Sequence, residues 1–151
     1  MSFRLYPLTE SKIDNISEIV RSAHAELKLG SRATVKSSLD SVKAGYASRS
    51  MAVYVDSVEQ PKHCLVLATM PGIATDGLLV AVILIYSLPE HRADPSVTKA
   101  MMETIENYSK LNGASCILGS SWKFGGTKGI DALWKANGYV PQETVYVKLL
   151  E

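Results

Sequence analysis

Cysteine and histidine are scarce in this chain and nowhere cluster. Cys64 and Cys116 lie far apart without a CxxC spacing, and no group of histidines accompanies them. That excludes the ligand spacing of a zinc site, and the two thiols read as buried residues of a reducing compartment. An excess of either charge is also missing: 16 Lys and Arg against 15 Asp and Glu leave a formal +1. The electrostatic footprint of a nucleic-acid binder is therefore absent. The longest apolar run, Leu78 to Tyr86, is about half of what a bilayer span needs. The opening Met1-Ser2-Phe3-Arg4-Leu5 lacks the basic-then-apolar layout of a signal peptide, so a cytoplasmic protein that does not engage membranes is expected. There is no internal repeat, low-complexity tract or Pro/Gly-rich linker.

Familiar catalytic motifs are missing as well. The stretch Phe124-Gly125-Gly126-Thr127-Lys128-Gly129 places its lysine before a glycine and lacks the P-loop spacing. It reads as a loop or lid beside the site. No serine, histidine and acid gather around a nucleophile elbow.

What is present suffices for a globular domain. The 151 residues are 46% apolar and 21% charged, a size and composition that point to one domain, residues 1–151. Such a chain buries roughly two-thirds of its unfolded surface and needs no metal or disulfide for stability.

Helical and strand periodicities alternate along the chain. Phe3 to Leu8 alternates apolar and polar residues like a short edge strand. Ile13, Ile16, Ile19, Val20, Ala23 and Leu27 recur at helical spacing, with Gly30 as a stop. Val35, Leu39, Val42 and Tyr46 mark a second helix that Ser31 or Thr34 could cap. Met51–Val55 and His63–Met70 read as strands joined by a polar turn, and Gly77–Leu88 as a central strand covered on both sides. Asp94 and Pro95 start a long helix, on which Val97, Ala100, Met101, Thr104, Ile105, Tyr108 and Leu111 trace one stripe before Asn112-Gly113. Ser115–Leu118 is a short buried strand; Ala132, Leu133 and Ala136 mark a short helix ended by Asn137-Gly138; Glu143–Leu150 is a closing strand. The order predicts an α/β fold with a mixed sheet of about six to seven strands and about four helices.

The order and three local motifs together resemble the Gcn5-related N-acetyltransferase (GNAT) superfamily. The first is Leu84-Ile85-Tyr86-Ser87-Leu88-Pro89-Glu90-His91-Arg92, similar to the family's central strand ending in Pro-Glu-x-Arg. The second is Asn112-Gly113-Ala114, where such helices often end. The third is Leu133-Trp134-Lys135-Ala136-Asn137-Gly138-Tyr139, standing where the family shows Leu-Tyr-x-x-x-Gly-Phe. The element order covers almost the whole chain, whereas the motifs cover about forty residues of it. The compact chain and its ending, Thr144-Val145-Tyr146-Val147-Lys148-Leu149, are also similar to small phage-encoded members, which would work in the host cytoplasm.

The resemblance implies transfer of an acetyl group from acetyl-CoA to an amine of a small molecule or a protein. It places the pantetheine arm on the backbone of Tyr86, Ser87 and Leu88, by strand addition. It places the diphosphate at the start of the following helix, with Arg92, Ser96, Val97, Thr98 and Lys99 as its contacts. No metal is implied. A homodimer through an exposed edge strand fits the same architecture.

Two departures from the family pattern support an alternative: a non-catalytic binding module acting on a protein partner. The family's loop reads Arg-Gly-x-Gly-x-Gly/Ala, while Arg92-Ala93-Asp94-Pro95-Ser96-Val97-Thr98-Lys99 contains no glycine. Pro95 removes an N–H donor, and Asp94 brings a negative charge that can itself take the helix donors. At the position of the family's proton-donating tyrosine stands Trp134, whose indole has no useful acid. Tyr139, Tyr146 and Glu90 remain as proton-transfer candidates, each also readable as a packing or turn residue. His24 and Glu26, on the first helix, border the acceptor side by the same resemblance.

Overall fold

The structure is a computed structural model that describes residues 3–27, 34–72, 77–92, 94–119, 128–141 and 148. Strands β1 (Tyr6–Pro7), β2 (Met51–Val55), β3 (His63–Pro71), β4 (Leu78–Ser87) and β5 (Ala114–Leu118) form one sheet in the order β1-β2-β3-β4-β5. The first four strands run antiparallel to their neighbours, and β5 runs parallel to β4. A parallel pair needs a crossover, which is helix α3 (Pro95–Leu111). The other helices are α1 (Ser17–Leu27), α2 (Val35–Ala47) and α4 (Lys128–Ala136). The α/β class, the mixed sheet and the four helices agree with expectation, but the described residues hold five strands, not six to seven. The expected strand Glu143–Leu150, and Tyr146 with it, lies outside the described residues apart from Lys148.

Most element boundaries follow from local chemistry. Thr34 caps α2: its side chain accepts from the Ser37 N–H (3.0 Å), while Ser37 Oγ accepts from the Thr34 N–H (3.2 Å), a reciprocal capping box. Asp94 caps α3, Pro95 takes its first position, and Gly113 ends it with φ +68°. The first helical stripe differs in its winding. Glu10–Ile16 is a 3₁₀ turn that leads into α1. Ile13, Ile16 and Ile19 sit three residues apart, the spacing that a three-residue turn stacks on one side, and all three are buried. The edge strand is shorter than Phe3–Leu8, although the Leu8 N–H still donates to the Val53 carbonyl (2.8 Å).

Among the described strands the middle one is β3. His63 to Ala68 are buried without interruption, as expected of a strand paired on both edges and covered on both faces. On one face Cys64, Val66, Val53, Val55 and Tyr86 pack against Ile13, Ile16, Ile19, Val20, Ala23, Leu39 and Val42. On the other, Leu65, Leu67, Val80 and Val82 pack against Val97, Met101, Met102 and Ile105 of α3 and Trp134 of α4.

Strand β4 is only half paired on its far side. Its partners in β5 run from Leu78↔Ala114 to Ala81↔Leu118, and among the described residues nothing pairs with Val82–Ser87 there. A bulge marks the departure: Val66 faces Leu84 and Leu67 faces Val82, which leaves Ile83 as the extra residue. A bulge increases local twist and bends its strand, so β4 turns away from β5 just past the last pair. Ile83 and Leu118, one on each side of the resulting gap, are each 43% exposed.

Candidate functional site

The gap between β4 and β5 offers backbone before it offers side chains. Leu88 donates its N–H to the Lys62 carbonyl (2.9 Å), which makes 62 and 88 a hydrogen-bonded pair. In an antiparallel ladder such pairs alternate, so the N–H and C=O of Ser87 and Ile85, opposite His63 and Leu65, face away from β3. They look into the gap. The Ser87 carbonyl already accepts from Arg92 Nε (3.0 Å). The Ser87 N–H and both Ile85 groups form the rest of the open edge.

Side chains of β4 alternate to the two faces. Tyr86 points to the α1 side and is 3% exposed. Its hydroxyl hydrogen-bonds Ser22 Oγ (2.7 Å) and donates to the Glu26 carboxylate. The i, i+4 spacing of Ser22 and Glu26 on α1 presents both to that one hydroxyl. Arg92 completes the cluster: Nη1 donates to Glu26 Oε2 (3.1 Å), Nη2 to Oε1, and the guanidinium lies 5.0 Å from the Tyr86 ring centroid. This bidentate arrangement is the strong form of the Arg–carboxylate pair. Arg92 beside it holds the Glu26 carboxyl below the usual carboxylate range, and Glu26 in turn raises Arg92. Burial, then the Glu26 carboxylate, pushes the Tyr86 phenol up. The cluster ties α1 to the turn after β4.

Ser87 points to the opposite, α3 face. Its hydroxyl and His63 Nδ1 are 2.6 Å apart. His63 is 6% exposed, with the Phe3 ring 5.5 Å and the His91 ring 6.2 Å away. Burial lowers its pKa and keeps the imidazole neutral.

The start of α3 donates almost entirely to itself. Asp94 Oδ1 accepts from the Ser96 N–H (3.0 Å) and the Ser96 hydroxyl (2.7 Å). The Asp94 carbonyl takes the Val97 and Thr98 N–H groups (3.1 and 3.3 Å), and the Thr98 hydroxyl donates to the Pro95 carbonyl (3.0 Å). Those bonds to Ser96 hold the Asp94 carboxyl below its ordinary value. Lys99 is exposed one turn further on.

At the other end of the gap, Trp134 is buried against Gly119, the residue after β5, and its ring lies 4.7 Å from Tyr139. The Tyr139 hydroxyl is buried with no hydrogen-bond partner among the described residues, and burial raises its pKa. Glu90 is exposed on the turn Pro89–His91. Tyr146 lies outside the described residues. His24 Nε2 meets Ser38 Oγ at 3.0 Å and so links α1 to α2.

The structure thus brings Tyr86, Ser87, Leu88 and Arg92 together around the end of β4, with Ser96–Lys99 on the next helix. Tyr139 and Glu90 stand in separate surroundings. The Glu26–Arg92 and His63–Ser87 partnerships were missed by the sequence reading. Among the described residues, no group of three metal-ligating side chains converges, and no helix is long and apolar enough to cross a membrane.

No family model matches the sequence, and no curated protein matches it either. Solved structures do. A predicted acetyltransferase from Clostridium acetobutylicum, solved with acetyl-CoA, superposes with a TM-score of 0.77 at 13% identity, covering 97% of this chain and 96% of that one. A ribosomal-protein-alanine N-acetyltransferase from Brucella melitensis biovar Abortus 2308 gives 0.73 at 12%, covering 97% and 98%. AAC(6')-Iy in complex with a CoA-linked bisubstrate analogue gives 0.68 at 9%, covering 97% of both. At these identities the likeness is one of fold: the chain has the fold of the GNAT superfamily.

Proposed function

We propose that this chain is an acetyl-CoA-dependent N-acetyltransferase that acts on an amine of a small molecule or a protein. The observation that carries this reading is the open edge of β4, where Ile85 and Ser87 turn backbone donors and acceptors away from β3, beyond the last pair with β5. A pantetheine arm has amides that can pair with such an edge as an added strand does. When bound, its thioester supplies an activated acetyl group. The chain's own part would be to hold the arm straight along Ile85–Ser87. An amine entering from the side of α1 would meet the face on which Ser22, Glu26 and Tyr86 are locked together. Their mutual bonds fix the wall of that approach, and acyl transfer from a thioester gains chiefly from fixed proximity. The diphosphate fits less well than the arm, because the first turn of α3 has its donors engaged.

Titration calorimetry with acetyl-CoA tests the reading through one backbone atom. Ser87→Pro removes the N–H that faces the gap and leaves the β3–β4 ladder intact. Ser87→Ala keeps that N–H while losing the bond to His63. Binding that survives Ser87→Ala and is lost in Ser87→Pro, with unchanged circular dichroism, supports strand-like pairing. Equal binding by all three proteins would sink it.

A second reading, a non-catalytic module docking on a protein partner, is favoured by the self-capped start of α3. It predicts no heat with acetyl-CoA at millimolar concentration.

A further inference from the structure

A thioester arm lying along Ile85 and Ser87 has its far end beyond β4, where the turn Pro89–His91 leads into α3. A helix N-terminus there would ordinarily receive a phosphate through free N–H groups and the helix dipole. In this chain those groups are taken. Pro95 has no N–H; Ser96 donates to the Asp94 carboxylate through both its N–H and its hydroxyl; Val97 and Thr98 donate to the Asp94 carbonyl; the Thr98 hydroxyl donates to Pro95. A phosphate oxygen arriving at the first turn would find acceptors and a fixed negative charge.

The nearest cation on the strand side is turned away as well. All three nitrogens of Arg92 are engaged, Nε by the Ser87 carbonyl and both Nη by Glu26 across the α1 interface. Releasing it would leave Glu26, a carboxylate 19% exposed, without its cation and loosen the tie between α1 and the turn after β4. The exposed Lys99 is the remaining cation on this turn of α3.

Resting on the acyl-thioester reading above, we infer that Asp94 is a specificity-determining residue: it closes the first turn of α3 to a diphosphate, so that an acyl donor is recognised through its pantetheine arm alone. The disagreement between an open arm groove and a shut phosphate cradle is the ground for this. The fixed negative charge and the engaged donors would cancel the affinity that the charged end could otherwise add.

The test compares acetyl-pantetheine with acetyl-CoA by calorimetry on the wild type, Asp94→Gly and Asp94→Asn. Glycine is an adequate cap, and its lack of a side chain frees the Ser96 donors together with the charge. Asparagine keeps the cap and removes only the charge. The expected result is that the wild type binds the two thioesters within about threefold of each other, whereas Asp94→Gly tightens acetyl-CoA by about tenfold or more without altering acetyl-pantetheine, as suits one charge-assisted donor set gained and one like charge lost. Asp94→Asn should fall between them. A wild type that prefers acetyl-CoA by more than about tenfold, with Asp94→Gly no tighter, overturns the inference while leaving the arm groove standing. If no variant binds either thioester, the acyl-thioester reading fails and this inference fails with it.

Discussion

The contact between Gly119 and Trp134 gives the sharpest test of how the open end of the gap is built. A Cβ placed on Gly119 would lie 2.8 Å from Trp134 Cε2 and 2.9 Å from both Cδ2 and Cζ2. Ordinary carbon contacts begin near 3.5 Å, so the indole must move by about half an ångström or more. It has little freedom to do so. Trp134 is buried in the cluster with Val97, Met101 and Ile105, and its ring is already against Tyr139. The Gly119 backbone is not in the left-handed region, so Ala meets no dihedral penalty there and sterics alone decide the outcome. Overpacking of this kind costs about 1–3 kcal/mol. For a chain of this size that corresponds to a melting temperature lower by about 3–10 °C. The assay is a double-mutant cycle in urea. Trp134→Leu is itself destabilising through lost burial, but it removes the obstacle, so Gly119→Ala should cost at least about 1 kcal/mol less in that background. An equal cost in both backgrounds would falsify the packing account and place the effect in the unfolded chain.

Three further outcomes follow from groups already described. Glu26 has a folded-state pKa below its ordinary 4.5, so the stability it contributes is full above 4.5 and drains away as pH falls through the folded value. Glu26→Gln should cost about 1–2 kcal/mol near neutrality, with partial exposure of the pair keeping the figure low, and urea midpoints of wild type and variant should converge in acid. His63 is lowered from 6.5 by burial, so the unfolded chain binds its proton first. The stability held by neutral His63 is therefore complete above 6.5 and is lost as pH drops below it, with a slope of up to about 1.4 kcal/mol per pH unit that His63→Asn should flatten. The Cys64 thiol is fully buried and pushed up to about 12. Ellman's reagent should therefore reach Cys116 in the native protein and Cys64 only on unfolding; rapid native reaction at Cys64 would contradict its placement.

Local chemistry was the legible part of the fold. The start and stop of α3 follow from Asp94-Pro95 and Asn112-Gly113, and the α2 cap from Thr34, because each signal acts within a turn of the element it bounds. The position of β4 was harder to read. A run from Leu78 to Tyr86 has the same apolar character whether a strand covers its edge or a gap opens beside it. The bulge at Ile83 exists only relative to the partner residues Val66 and Leu67. Arg92 illustrates the same limit at the site. Its charge and its place before α3 suggested a phosphate contact, but its partner is Glu26, on another helix far away in sequence. Asp94 could be weighed from sequence because its cap is local.

An open strand edge flanked by exposed apolar side chains is normally a hazard, since unpaired N–H and C=O groups invite pairing with another chain. Edge strands usually answer this with charge, proline or shortness. At Ile85 and Ser87 the answer is partial: Arg92 covers the Ser87 carbonyl, but Ile83 and Leu118 nearby are exposed and apolar, and the strand is one of the two longest described. The bulge at Ile83 turns this stretch away from β5, so that among the described residues its edge has no strand partner on that side. Under the proposed function this bulge is what leaves the edge free to pair with an amide-bearing ligand, which would be the physical link between the bulge and the proposed chemistry.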